Sequence, residues 1–127
     1  MDIRQDPEVM RVYWEMFTQA TGMTQWTHKI GRIRAGYCDK CGKHLDRLPY
    51  GRCEIPDPIT MSVADLAFWM RDKCDPEQWE WELVECYFGN QLNMSFAARA
   101  RVALHQATPK QWIYAAVKAW RQKNASD

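Results

Sequence analysis

Two cysteines separated by two residues, Cys38 and Cys41, lie in a stretch with few other means of holding a shape. Such spacing puts both sulfurs on one side of a tight turn, and Gly42 gives the backbone freedom the turn needs after its second sulfur. Cys53 follows as a third soft donor, so Tyr37 to His44 with Cys53 has the outline of a zinc knuckle. The surrounding residues support the same reading. Gly31, Gly36, Pro49, Gly51, Pro56 and Pro58 interrupt any helix, and apolar residues are sparse. A bound metal explains how residues 27–58 fold at all. A thioredoxin-like redox pair requires a βαβ setting, and none flanks these cysteines.

The fourth ligand has three candidates. His44 stands three residues after Cys41, Cys74 belongs to the chain beyond the loop, and His28 precedes it. Loop-closure entropy favours the local ligand, so the expected set is Cys38, Cys41, His44 and Cys53, with zinc as cofactor. Cys86 lies at helical spacing from Trp79 and Leu83 and reads as a small core residue.

Outside this loop the pattern is helical. Asp6-Pro7 opens and Gly22 closes an amphipathic segment whose apolar face is Val9, Tyr13, Met16, Phe17 and Ala20. Trp26 to Arg34 suggests two short strands around Gly31. Glu54 to Thr60, with Pro56 and Pro58, is a stiff extended connector. Ser62 with Asp65 opens the next helix, Asp75-Pro76 another, and Ser95 a shorter one ending near Leu104. Thr108-Pro109-Lys110-Gln111 is a capping box with Pro at the first helical position, and its helix runs to about Lys123. The expected fold is therefore mainly α, a small helical domain with helix-turn-helix-like C-terminal helices and an inserted zinc-knuckle loop. Its expected parts are an N-terminal helix over 1–26, a metal module over 27–58 and a helical domain over 59–127.

The net charge of +1 conceals a segregation. Residues 27–53 carry seven Lys/Arg against two Asp, residues 61–90 seven acids against two bases, and residues 91–127 six bases against Asp127. Basic regions suggest a polyanionic partner, and the acidic block a basic protein surface. On the last helix Lys110, Tyr114, Lys118 and Arg121 recur at one face, opposite Trp112, Val117 and Trp120. Cations with an aromatic between them suit a groove lined with phosphates, and Gln111 stands where a base edge comes within reach. On the helix before, Glu80, Glu82 and Glu85 are expected on the outer side as a protein-binding face.

The Tyr87-Phe88-Gly89 stop, Ser95-Phe96 opening one helix and Thr108 opening the next resemble the winged or σ-region-4-like helix-turn-helix proteins. Together with the knuckle, the chain is similar to the lambdoid phage late-gene antitermination proteins of the Q type. The likeness covers residues 38–53 and 83–123, and the turn His105-Gln106-Ala107 lacks the glycine common in this motif. It implies a DNA-binding transcription regulator that engages RNA polymerase. The other reading is a protein-binding inhibitor or adaptor of the host-takeover type, to which seven tryptophans lend support. No Ser/His/Asp or paired-carboxylate arrangement stands out, so an enzyme is not expected. The acid-bearing N-terminus lacks a secretory h-region, no apolar run spans a membrane, and an odd number of cysteines suits a reducing compartment, so the cytoplasm is expected.

Overall fold

The computed structural model describes residues 2–89 and 94–125. Over these the protein is mainly helical, with α1 Pro7–Thr21, α2 Val63–Asp72, α3 Pro76–Phe88, α4 Phe96–Gln106 and α5 Pro109–Ala125, and a single 3-10 turn at Ile3–Gln5. No described helix is long and apolar enough to cross a membrane.

Helix starts follow capping chemistry closely. The first backbone N–H groups of a helix lack intrahelical acceptors, and a side-chain oxygen just ahead supplies one. Asp6 Oδ1 accepts from Glu8 N, Ser62 Oγ from Asp65 N, Asp75 Oδ2 from Gln78 N, and Ser95 Oγ from Ala98 N. The α5 box is reciprocal: Gln111 N donates to Thr108 Oγ1 at 3.3 Å and Thr108 N donates to Gln111 Oε1 at 2.8 Å. Boundaries shift only at C-termini, where α4 continues to Gln106 and α5 to Ala125.

The chain divides into two compact units, Met1–Met16 with Ile59–Asp127, and Phe17–Pro58. The Pro56–Pro58 connector ends the second unit as its stiffness suggests. On the N-terminal side the division falls inside α1 rather than at residue 26. Trp26 and Gln25 are drawn into the second unit because their carbonyls accept from Cys53 N and Asp57 N, each at 2.8 Å.

In the helical unit α5 packs on α2 and α3, and α4 on α3. Leu66, Met70, Trp79, Leu83 and Ile113 are fully buried. Trp79 Nε1 donates to Trp112 O at 3.2 Å, which lets an indole enter the core without an orphaned donor. On α1 the buried face is Val9, Val12, Tyr13, Trp14 and Met16; Ala20 is exposed. Cys86 is half-buried.

The second unit has no named strand among its described residues. In place of the two expected strands there are isolated antiparallel bridges, Ile30 with Cys38 and Tyr37 with His44. Asp39 is the reason. Its carboxylate accepts from Arg32 N at 2.9 Å and Ile33 N at 3.2 Å, so residues 31–34 form a turn instead of extending. Gly31, at φ +23°, sits where a Cβ would meet Arg34 O at 2.9 Å.

Candidate metal centre

The small core of the second unit is Cys38, Leu45 and Cys53, with Cys41 and Tyr50 packed against it. Three backbone devices assemble it. The Cys38–Cys41 turn closes with Gly42 N donating to Cys38 O at 2.9 Å, and Gly42 adopts φ +76°. The chain then doubles back, Cys38 N donating to Lys43 O at 2.9 Å. Ahead of the turn, Gly31 N donates to Tyr37 O and Asp39 N to Lys29 O, which carries His28 alongside the turn. Behind it, the Cys53 N to Trp26 O bond brings in the last thiol.

The ligand-type atoms of His28, Cys38, Cys41 and Cys53 lie within 4.8 Å of one another. Cys38 Sγ is 3.9 Å from Cys53 Sγ, and Cys41 Sγ is 3.6 Å from His28 Nδ1. Tetrahedral bonds of about 2.3 Å to sulfur and about 2.0 Å to nitrogen place two sulfurs about 3.8 Å apart and a sulfur and nitrogen about 3.5 Å apart. The group could hold a metal ion with little rearrangement. All five cysteines are free thiols, and 3.9 Å is far beyond a disulfide bond.

Electrostatics favour the same use. Burial alone pushes the Cys38 thiol up. The N–H of Cys41, the His28 imidazole and the N–H groups of Lys40 and Lys29 outweigh it and bring the thiol down to about 5. Burial, with the neighbouring Cys41 and Cys38 sulfurs, raises Cys53 instead. A Cys38 thiolate beside a Cys53 thiol held protonated is a pairing that a bound cation completes. Lys40 backs it: its ammonium bonds Gln25 O at 3.3 Å and pairs with Asp57 Oδ1 at 3.4 Å.

His44 stands outside the cluster, and this corrects the ligand set expected from spacing. Side chains alternate along an extended chain. Tyr37 and His44 pair across the reversal and share a face, with ring centroids 4.8 Å apart, while their neighbours Cys38 and Leu45 turn inward together. The His44 ring is exposed, with Nδ1 3.8 Å from Asp46 Oδ2. Cys74 is also elsewhere, in the helical unit, its thiol donating to Met70 O and Ala116 O at 3.4 Å. His28, the more distant histidine, takes the place because a hairpin shortens the route. Glycines 31 and 36 bracketing a short turn were the sequence signal for that hairpin.

The α5 residues are partly as expected. Lys110, Tyr114, Lys118 and Arg121 are all exposed, and Ile113, Ala116, Val117 and Trp120 are buried behind them. Their charge is not all available, however. Arg121 pairs with Glu8, and Tyr114 Oη lies 3.5 Å from Asp6 Oδ2. Gln111 is held by its own cap, its Oε1 accepting from Thr108 N at 2.8 Å. The acidic face is likewise corrected. Glu85 is exposed and Glu80 half-buried, but Glu82 is 2% exposed and accepts from Gln78 and Gln122 side chains at 3.1 and 2.6 Å.

Comparison with protein-family models, with curated proteins and with solved structures returned no match.

Proposed function

We propose that this is a nucleic-acid-binding regulator of the DNA-binding kind, built on a structural zinc site formed by His28, Cys38, Cys41 and Cys53. Three thiolates and an imidazole at tetrahedral spacing are the donor set of structural zinc. Four protein ligands leave no open position for a substrate, which favours a structural over a catalytic role.

One observation carries the nucleic-acid reading: the cations of the metal module outnumber the acids free to neutralise them. Asp39 is taken up by the backbone N–H groups of Arg32 and Ile33, Asp57 by Lys29 and Lys40, and Asp46 stands beside His44, which leaves Glu54 as the one acid of the module outside these contacts. Arg32, Lys43 and Arg47 are exposed and have no acidic partner among the described residues. Such a set is suited to phosphates. On α5, in the other unit, Lys110 and Lys118 are exposed cations of their own; Arg121 contributes less because Glu8 already holds it. Glu80 and Glu85 are then left for a basic protein surface such as that of an RNA polymerase.

Anisotropy titrations of labelled duplex DNA against the zinc-loaded protein over a salt series test this. Binding should weaken steeply with salt. Arg32→Ala, Lys43→Ala and Arg47→Ala should each lower the slope by about one unit. Absence of binding at low salt to duplex and single-stranded DNA alike overturns the reading. The adaptor reading would then rest on Phe68 and Trp81, 57% and 49% exposed on the helical unit.

A further inference from the structure

The His28 imidazole has two edges with different circumstances. Nδ1 faces the Cys41 thiol. Nε2 is buried and has no hydrogen-bond partner, in a residue only 8% exposed. A neutral imidazole that gives one nitrogen to a metal must carry its proton on the other. Nε2 is then an obligate donor, and a metal-bound histidine ordinarily donates that proton to a carboxylate, a carbonyl or water. No group of the described chain accepts it. A buried donor left unpaired is destabilising.

His28 also lines a cleft of about 550 Å³ in the metal module, together with Trp26, Ile30, Leu48, Tyr50 and Arg52. The Arg52 guanidinium lies over the Trp26 ring, 3.7 Å from its centroid, so cation and indole form a stacked platform with the cation on one face of the ring. Ile30 and Leu48 are 64% and 79% exposed, an unusual display of aliphatic surface in a unit this basic. Flat π and guanidinium surface, aliphatic walls, one buried donor and flanking cations are together complementary to one kind of ligand. That ligand is planar, carries an acceptor on its edge and is tethered to anions, as a nucleobase is.

We infer that this cleft receives an unpaired base of a single-stranded nucleic acid. The base stacks on the Trp26–Arg52 platform, and an acceptor on its edge takes the His28 Nε2 proton. Arg47, exposed beside Leu48 in the chain, follows the phosphates. A base inside a duplex is already stacked on both faces and cannot enter, so strandedness is what the cleft discriminates. The inference rests on the nucleic-acid reading above and narrows it.

The test is anisotropy of the zinc-loaded full chain with one short sequence presented as single-stranded DNA, single-stranded RNA and DNA duplex at matched salt. Single strands should bind at least about tenfold more tightly than duplex. Trp26→Leu should remove about tenfold or more of the single-strand affinity while leaving the salt slope and the zinc content unchanged. Should Trp26→Leu lose its metal, Leu48→Ala serves instead, since so exposed a side chain is not needed for folding; it should weaken single strands several-fold and leave duplex binding alone. Equal affinity for RNA and DNA places recognition on the base, and tighter RNA adds the 2′-hydroxyl; either supports the cleft. Duplex bound as tightly as single strands, with both variants silent, overturns the cleft and leaves the nucleic-acid reading standing. No oligonucleotide bound at low salt overturns both.

Discussion

The two units of this protein solve the same problem with different materials. The helical unit orders its chain by burying apolar faces, with Leu66, Leu83 and Ile113 wholly removed from water and side-chain caps closing the starts of α1 to α5. The metal module has a core of only three buried residues, two of them cysteines. Its backbone forms isolated bridges rather than a ladder. Burial energy grows with apolar area, and a segment of this length with so little of it cannot offset its own conformational entropy. Bonds to a metal can. One unit should therefore answer to core mutations and the other to the occupancy of its four donors.

The largest expected effect is that of metal removal. Structural zinc contributes on the order of 10 kcal/mol in small modules. A strong chelator should abolish hydrogen-exchange protection at Cys38, Asp39 and Cys53, whose N–H groups hold the module together, and leave the amides of Leu66, Leu83 and Val117 protected. Parallel loss in both sets would mean that the two units depend on the metal alike.

The converse experiment is Leu66→Ala, which should cost about 2–5 kcal/mol. The thermal midpoint read by far-UV circular dichroism should fall, with one metal per chain retained. A variant that loses its metal along with its helices would show that the core props the site.

A finer distinction lies within the module. His28→Ala should weaken metal binding by at least about tenfold, as the loss of a ligand must when even losing a group hydrogen-bonded to a ligand reaches that size. His44→Ala, which alters a ring exposed beside Tyr37, should leave competition titrations against a chromophoric chelator unchanged. Equal effects from the two would return His44 to the ligand set.

The smallest effect concerns Cys74, the buried thiol of the helical unit. Burial pushes it from 9.0 up to about 12. A folded-state value above the unfolded one means that the unfolded chain releases the proton first. The contribution is whole below pH 9 and is lost as pH rises from there toward 12. Denaturant midpoints should decline over that window, and Cys74→Ala should flatten the decline. The same thiol should resist alkylation at neutral pH even when chelation exposes Cys38, Cys41 and Cys53.

Some features were legible without coordinates because their causes are local. Asp6-Pro7, Ser62, Asp75-Pro76, Ser95 and the Thr108–Gln111 box each act within three residues, and each caps the helix it was expected to open. Cys38, Cys41 and Cys53 were recognisable because soft donors at knuckle spacing amid glycine and proline have few other uses. Ligand choice was not legible by proximity in sequence. The alternation that turns Cys38 and Leu45 inward turns His44 outward, and only the hairpin through Gly31 brings in His28.

The amino-acid sequence by itself determined that the chain is mainly helical, where its helices begin, and which three sulfurs belong together, since each depends on residues a turn or a loop apart. Tertiary structure alone decided which cations remain available. Arg121 and Tyr114 share the exposed α5 face as their spacing requires, yet Glu8 of α1 and Asp6, which caps that helix, lie more than a hundred residues earlier and occupy them. Glu82 has the spacing of a surface acid and is buried because Gln78 and Gln122 meet it from two helices. Periodicity places a side chain on a face of its own helix. What waits on the other side of that face is set by elements distant in sequence, whose positions follow from the packing of the whole unit.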